Sequence, residues 1–270
     1  MGETIACANQ KGGVGKTTTV VNLASYLALA DDRVLVVDLD PQGNATSGFG
    51  IARTLDRSVY DAVIDGVPLE ALAIETKVEG VTLIPSSIAL AGAEVELAPL
   101  EQRERRLAGL LEPMASRFDY ILIDCPPSLG LLTINALTAA DSTLIPIQCE
   151  YFALEGLGQL LATIRLVTDH LNPRLRVKGA VLTMFDSRTR LSADVGDEVR
   201  RHLGDRVYDT VIPRAVRLSE APSHGLPIHL YAPGSRGAAA YRDLADEIRA
   251  RDERPNLRAA TVPKAEAVLA

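Results

Sequence analysis

The chain has 270 residues, 47% of them hydrophobic, a formal net charge of −7 and no tryptophan. That length supports one large α/β domain around a single core, and no run reaches the ~18 apolar residues of a membrane span. The N-terminus has no basic region followed by an apolar stretch, so no secretory signal is read and a cytoplasmic location is expected.

Short apolar runs alternate with helical periodicity along the chain. Residues 4–8 form the first strand candidate. Residues 16–30 read as a helix with Val20, Leu23, Ala24, Leu27 and Ala28 on one face. Further strands are expected at 33–38, 81–85, 120–124, 143–147, 177–185 and, more weakly, 207–212. Helices are expected at 129–140, 153–171, 191–203 and 237–251. The strand runs are continuous rather than alternating, as strands covered on both faces should be. Repeated β-α units predict an α/β fold of the P-loop NTPase type: a mostly parallel, twisted sheet with helices on both faces. Ligands in such sheets bind at the carboxyl ends of the strands. Residues 1–254 are read as one domain and 255–270 as a frayed tail.

Charge is uneven. Residues 1–173 hold 11 Lys+Arg against 22 Asp+Glu, whereas 174–258 hold 16 against 12, all but one of the 16 being Arg. The C-terminal third can therefore carry a basic face within an acidic total; an ordinary solvated surface is the competing reading. Cys7, Cys125 and Cys149 lie far apart and form no C-x-x-C pair, which argues against a disulfide framework or zinc knuckle; Cys7 and Cys149 sit in or beside apolar strand-like runs, where a small buried side chain suffices.

After the first strand comes Asn9-Gln10-Lys11-Gly12-Gly13-Val14-Gly15-Lys16-Thr17-Thr18. Gly15-Lys16-Thr17 matches the end of a phosphate loop, but Gln10 stands where its first glycine belongs. The glycines let successive N–H groups turn toward a phosphate, and the helix beginning near Lys16 adds its positive end. Lys16 can reach β and γ oxygens, and Thr17 can coordinate Mg²⁺. Gly12, Gly13, Val14, Gly15 and Thr18 complete the cradle. Lys11 is a second lysine, able to neutralise charge developing on the γ-phosphate as an arginine finger does.

The second strand ends in Asp38-Leu39-Asp40-Pro41-Gln42. If the strand persists, both carboxylates project the same way, toward the metal and the attacking water. Tyr120-Ile121-Leu122-Ile123-Asp124 is an apolar strand ending in a carboxylate that can hold Mg²⁺, and Pro126-Pro127 stops it.

Lys11-Gly12-Gly13-Val14-Gly15-Lys16-Thr17-Thr18 resembles the deviant Walker A loop of the ParA/MinD family, and Asp38 to Asn44 resembles the first switch of ParA proteins. Segments 148–156, 182–190 and 211–225 make the likeness greatest to the small chromosomal type called Soj. The resemblance covers roughly residues 3–250. It implies an ATPase using ATP and Mg²⁺, with Lys16 on the local phosphates and Lys11 reaching the partner's ATP across a sandwich homodimer. It assigns Asp40 to the hydrolytic water, Asp38 to the metal shell or the switch, and Thr17 and Asp124 to the metal. It places Glu150 near the dimer interface, and Met184, Pro213 and Arg214 around the adenine. It gives Arg188 and Arg217 to nonspecific DNA, with pairing to Asp186 or Glu220 as the competing reading. A ParB-type partition protein is the expected partner, and the expected location is the nucleoid within the cytoplasm.

There are departures: Ala215 stands where the family often has Asn, and Leu226 where Lys is common, which should slightly weaken a basic stripe. His224 is read as structural. No helix-turn-helix pattern occurs and little chain precedes the loop, so operator reading is not expected. The alternative is a MinD-like membrane ATPase that positions division, but residues 255–270, with one Lys, one Arg, two Leu and no aromatics, lack an amphipathic anchor. An iron–sulfur reductase lacks its cluster cysteines, and a tyrosine kinase its C-terminal tyrosines. A metabolic ligase of the same fold remains as a further class.

Overall fold

The computed structural model describes residues 2–254 apart from Arg53, Tyr151, Phe152 and the side chains of Ala153 and Glu155. The expected tail at 255–270 lies outside the described residues. In chain order the strands are β1 (Glu3–Cys7), β2 (Val34–Asp38), β3 (Ile74–Glu75), β4 (Val81–Ile84), β5 (Tyr120–Asp124), β6 (Ser142–Gln148), β7 (Arg176–Phe185) and β8 (Val207–Pro213). They form one eight-stranded sheet in the order β3-β4-β2-β5-β1-β6-β7-β8. Every pairing is parallel except β3 with β4.

The α-helices are α1 (Lys16–Ala28), α2 (Asn44–Gly48), α3 (Val59–Asp65), α4 (Ala93–Leu97), α5 (Arg106–Leu111), α6 (Leu131–Ala139), α7 (Ala153–His170), α8 (Arg190–Leu203), α9 (Val216–Glu220), α10 (Ile228–Tyr231) and α11 (Arg236–Arg251). Each long element expected from periodicity is present with ends shifted by a residue or two. The pieces not anticipated are the two-residue edge strand β3 and the short helices α2, α3, α4, α5, α9 and α10. These are too short to display a helical period, and tertiary packing decides them.

Alternate residues of the central strands feed two separate apolar layers, one on each face. Leu35, Val37, Ile121 and Ile123 join one layer; Val34, Val36, Tyr120 and Leu122 join the other. Two-sided burial is why these strands read as unbroken apolar runs. Each such Val, Leu or Ile contributes about 1.5–3 kcal/mol through removal from water. Helix α1 is also buried beyond the expected stripe: Val21, Ser25 and Tyr26 are covered along with Leu23 and Leu27. It packs between the sheet and α11, where Tyr241 meets Thr19 oxygen to oxygen at 3.2 Å.

Part of the arginine excess is internal. Buried Arg249 pairs with Asp32, and Arg254 joins it at 2.9 Å. Lys178, the lone lysine of that stretch, is buried between Glu3 and Asp252 at 2.6 Å each. These pairs gather at the amino ends of the strands.

Candidate functional site

The sheet order sets β1 beside β5 and β5 beside β2, so three carboxyl ends lie together. In register, Asp124 is opposite Cys7 on one side and Asp38 on the other. The chain leaving Cys7 is the glycine loop, so the loop and both acidic strand ends share one edge of the sheet.

Gly13 and Gly15 hold φ of 74° and 90°, a region that L side chains rarely adopt. A side chain on Gly13 would meet nothing within 4 Å, so its exclusion is conformational rather than steric. Asn9 braces the loop, donating to the Pro146 carbonyl at 2.8 Å and accepting from the Lys11 N–H at 3.0 Å. Thr183 donates to the Val14 carbonyl at 2.7 Å. Lys16 is buried and donates to the Lys11 carbonyl at 3.1 Å, which folds its ammonium over the loop.

Around the loop lies a cavity of about 360 Å³. Gly12, Gly13, Gly15, Lys16, Thr17, Thr18 and Asp40 line it, as does Pro127 from the loop after β5. Met184 lines it with φ of 50°, a strained value for a side chain of its size. Pro213 and Arg214 are not among the lining residues, although the Arg214 N–H donates to the Phe185 carbonyl beside Met184 at 3.2 Å. Asn22, Ala221, Pro222 and Leu226 also line the cavity, which the sequence reading missed. Leu226, read as a loss to a basic surface, instead supplies an apolar wall. A cleft of about 430 Å³ between α3 and α5 has no glycine loop or acidic strand end.

Asp38 and Asp40 do not project together, because the strand ends at Asp38. Asp38 is fully buried and its carboxylate is already engaged. One oxygen accepts the Asp40 N–H at 3.2 Å; the other accepts the Thr46 N–H at 2.8 Å and its hydroxyl at 2.7 Å. Burial pushes its carboxyl up to about 6, against the opposing pull of Thr46. Asp38 thus braces the segment carrying Thr46, while its charge is felt by Asp124 across the paired strand ends. Asp40 caps the following turn, accepting the Gln42 N–H at 2.9 Å, while its carbonyl accepts the Ser86 hydroxyl at 2.7 Å. No short motif marks Thr46 or Ser86; α2 brings the first back to Asp38, and the pairing of β4 beside β2 brings the second to Asp40.

Asp124 differs. It is fully buried, and neither carboxylate oxygen has a hydrogen-bond partner of ordinary geometry. Burial first, then the neighbouring Asp38 charge, pushes its carboxyl well above the usual range; the Thr17 hydroxyl and the Lys16 charge pull the other way. An unpartnered buried carboxylate beside a hydroxyl is a costly arrangement that a divalent cation relieves. Asp124 and Thr17 therefore fit Mg²⁺, and the glycine loop with Lys16 fits the phosphates that accompany it. Among the described residues no cluster of three or more His, Cys, Asp or Glu could hold a metal alone. Such a cation would depend on phosphate oxygens for the rest of its shell.

Lys11 points away from its own loop. Its ammonium pairs with Glu150 at 3.2 Å, and Glu150 also faces Arg214 at 3.6 Å and accepts from Gln148 at 2.6 Å. Arg188 and Arg217 are exposed, but each is in the pairing named as its competing reading. Arg188 grips Asp186 through two guanidinium nitrogens at 2.8 and 2.9 Å, and Arg217 pairs with Glu220 at 2.9 Å. His224 stacks on Tyr231 at 4.8 Å, and the three cysteines are buried and free. Among the described residues, no helix is long and apolar enough to cross a membrane.

A glycine loop on a mostly parallel sheet, with an orphaned strand-end carboxylate beside its Gly15-Lys16-Thr17 end, defines a P-loop ATPase. A family model described as "AAA domain" matches residues 2–177. The chain is 59% identical to the sporulation initiation inhibitor protein Soj of Bacillus subtilis, over 93% of this chain and 99% of that one. It is 50% identical to the chromosome partitioning protein ParA of Caulobacter vibrioides, over 95% and 97%. Among solved structures, a cobyrinic acid a,c-diamide synthase from Mycobacterium smegmatis with bound ADP and magnesium superposes with a TM-score of 0.82 at 41% identity, over 94% and 97%. The chain belongs to the ParA/Soj family of deviant-Walker ATPases.

Proposed function

We propose that this protein partitions chromosomes or plasmids: MgATP joins two copies in a sandwich dimer, the dimer holds DNA without regard to sequence, and hydrolysis stimulated by a ParB-type partner releases it. The observation that carries the nucleotide half is the orphaned Asp124 carboxylate beside Thr17 and Lys16. Asp124 and Thr17 would hold Mg²⁺, whose charge would offset that carboxylate and the phosphates. Lys16 and the loop amides hold the local phosphates, and Asp40, at the cavity wall, orients the attacking water. Asp38 acts through Thr46 by fixing the switch. Met184 walls the base side, with Pro213 and Arg214 behind it.

The dimer rests on Lys11. An ammonium turned to Glu150 rather than inward is placed to leave its own loop for a second copy's phosphates. The DNA half rests on Arg188 and Arg217, whose exposed guanidiniums can exchange an intramolecular carboxylate for a backbone phosphate; such contacts are sequence-independent and salt-sensitive. The expected location is the nucleoid.

Sedimentation with and without ATP, in the presence of nonspecific DNA or of anionic lipid vesicles, tests this reading. A DNA-bound dimer with ATP is expected. A vesicle-bound dimer would favour the MinD-like alternative, and a monomer indifferent to DNA would favour a small-molecule ligase, the class that the synthase neighbour's name represents. Asp40→Ala should retain ATP and accumulate dimer, whereas Lys16→Ala should lose nucleotide; wild-type hydrolysis by Asp40→Ala removes Asp40 from the chemistry.

A further inference from the structure

The loop after β5 spans two anchors. At its start, Asp124 faces Thr17, and Pro127 walls the nucleotide cavity 3.8 Å from the position a Cβ would take on Gly12. At its end it becomes α6, whose first N–H groups have no partner within the helix. The N-cap residue is Gly130, which has no side chain to supply an acceptor.

The acceptor comes instead from Glu94 on α4, 36 positions earlier relative to Gly130 and 38 relative to Leu132. One Glu94 carboxylate oxygen lies 3.4 Å from the Leu132 N–H, the second position of α6, where an N-cap side chain normally bonds. The fit depends on the glycine: a Cβ on Gly130 would sit 2.1 and 2.6 Å from the two Glu94 oxygens. The negative carboxylate also lies at the positive end of the helix. Helix α4 is seated by buried Ala93 and Leu97, and Glu96 accepts from the Tyr60 hydroxyl at 2.9 Å. Within α6, the Asn135 carbonyl oxygen accepts the Leu107 N–H at 3.2 Å and its amide donates to the Arg103 carbonyl at 2.7 Å. Thr133 reaches back to the Ser128 carbonyl at 2.7 Å. The start of α6, and with it the Cys125–Gly130 loop, is therefore registered against residues 88–111.

We propose that Glu94 is a positioning residue for ATP hydrolysis: it caps α6 from another element and so fixes the Pro127 loop against the phosphate loop. This rests on the ATPase reading. Removing the cap leaves the phosphate loop intact, so nucleotide affinity is retained while the loop that must close on the reacting end loses its fixed start.

The test compares Glu94→Ala and Glu94→Gln with wild type, measuring kcat and KM for ATP and hydrogen exchange at the first turn of α6. For Glu94→Ala, kcat is expected to fall about fivefold, the scale of a lost cap, with KM within about twofold. Exchange at Leu132 should rise by a similar factor. Glu94→Gln, which keeps an acceptor oxygen, should recover most of both. Unchanged kcat or unchanged Leu132 protection in Glu94→Ala overturns the proposal. So does a parallel loss of kcat, KM and global melting temperature, which marks a merely structural role, and so does Glu94→Gln behaving like Glu94→Ala. A wild-type protein without ATP hydrolysis sinks the ATPase reading and this proposal with it; wild-type hydrolysis with an indifferent Glu94→Ala sinks only the latter.

Discussion

Gly50 and Gly225 meet backbone to backbone. A Cβ on Gly225 would lie 2.6 Å from the Gly50 Cα, and one on Gly50 would lie 2.9 Å from the Gly225 carbonyl oxygen. Both have positive φ, 75° and 62°. Gly50 follows α2, which carries the Thr46 that holds Asp38. Gly225 ends the 3-10 turn Ala221–His224, which continues from α9 and its Arg217. The contact thus bolts the first switch to the segment that carries a candidate DNA-binding arginine, and no side chain can enter it without moving one of the two.

Gly225→Ala and Gly50→Ala should each destabilise by about 1–3 kcal/mol through strain and overlap. Once one backbone has shifted, the second substitution meets a relaxed contact. The double variant should therefore lose clearly less than the sum. Urea melts of the four proteins check this; additivity within ~0.5 kcal/mol would show the two positions to be independent.

Asp124→Asn should stabilise the protein in the absence of nucleotide and magnesium. Folding takes this carboxylate into a site that disfavours its charge, so its ionisation opposes folding at neutral pH. Removing the charge should raise the melting temperature by about 2–4 °C per kcal/mol recovered. The same variant should lose the magnesium-dependent part of ATP binding. Differential scanning fluorimetry with and without MgATP reads both, and a variant less stable than wild type without ligand contradicts the argument.

His229 sets an acid limb. Its ring lies tilted against Tyr26 at 5.7 Å, its buried Nδ1 has no partner, and burial lowers its pKa from 6.5 to about 4. The unfolded chain therefore binds the proton first: full stability is present above pH 6.5 and is lost as pH falls toward 4. At pH 5 the loss is about 2 kcal/mol. Chemical denaturation at pH 7.5 and 5.0 should show this loss in wild type and a smaller one in His229→Phe. Equal acid losses would place the responsible group elsewhere.

Asp186 and Glu220 compete with phosphate for Arg188 and Arg217. Arg188 and its hydrogen bonds hold the Asp186 carboxyl well below the ordinary range, so it stays ionised and able to compete at any physiological pH. Asp186→Asn and Glu220→Gln should tighten nonspecific DNA binding of the ATP-bound protein, and each freed arginine should steepen the salt dependence by about one phosphate contact. Changing both arginines to Glu should abolish it. Anisotropy titrations over a salt series distinguish these outcomes, and DNA affinity indifferent to all four residues would remove this face from the DNA surface.

Most of the frame was legible in the sequence because the signals were local. Unbroken apolar runs such as Tyr120–Asp124 mark strands covered on both faces, and the order Gly15-Lys16-Thr17 marks a strand, a phosphate turn and a helix start. These depend on backbone geometry and burial within a few residues, and they placed Lys16, Thr17 and Asp124 at one sheet edge. What the tertiary structure decided is which partner each polar group takes across long separations. Asp38 and Asp40, two apart in a strand-like run, diverge because the strand ends at the first, which Thr46 then holds. Leu226 turns inward to the cavity, Arg188 and Arg217 find carboxylates, and Glu94 caps a helix whose own N-cap is a glycine. A buried donor or acceptor must be satisfied by whatever the fold brings near it, and that choice leaves no pattern in the adjacent sequence.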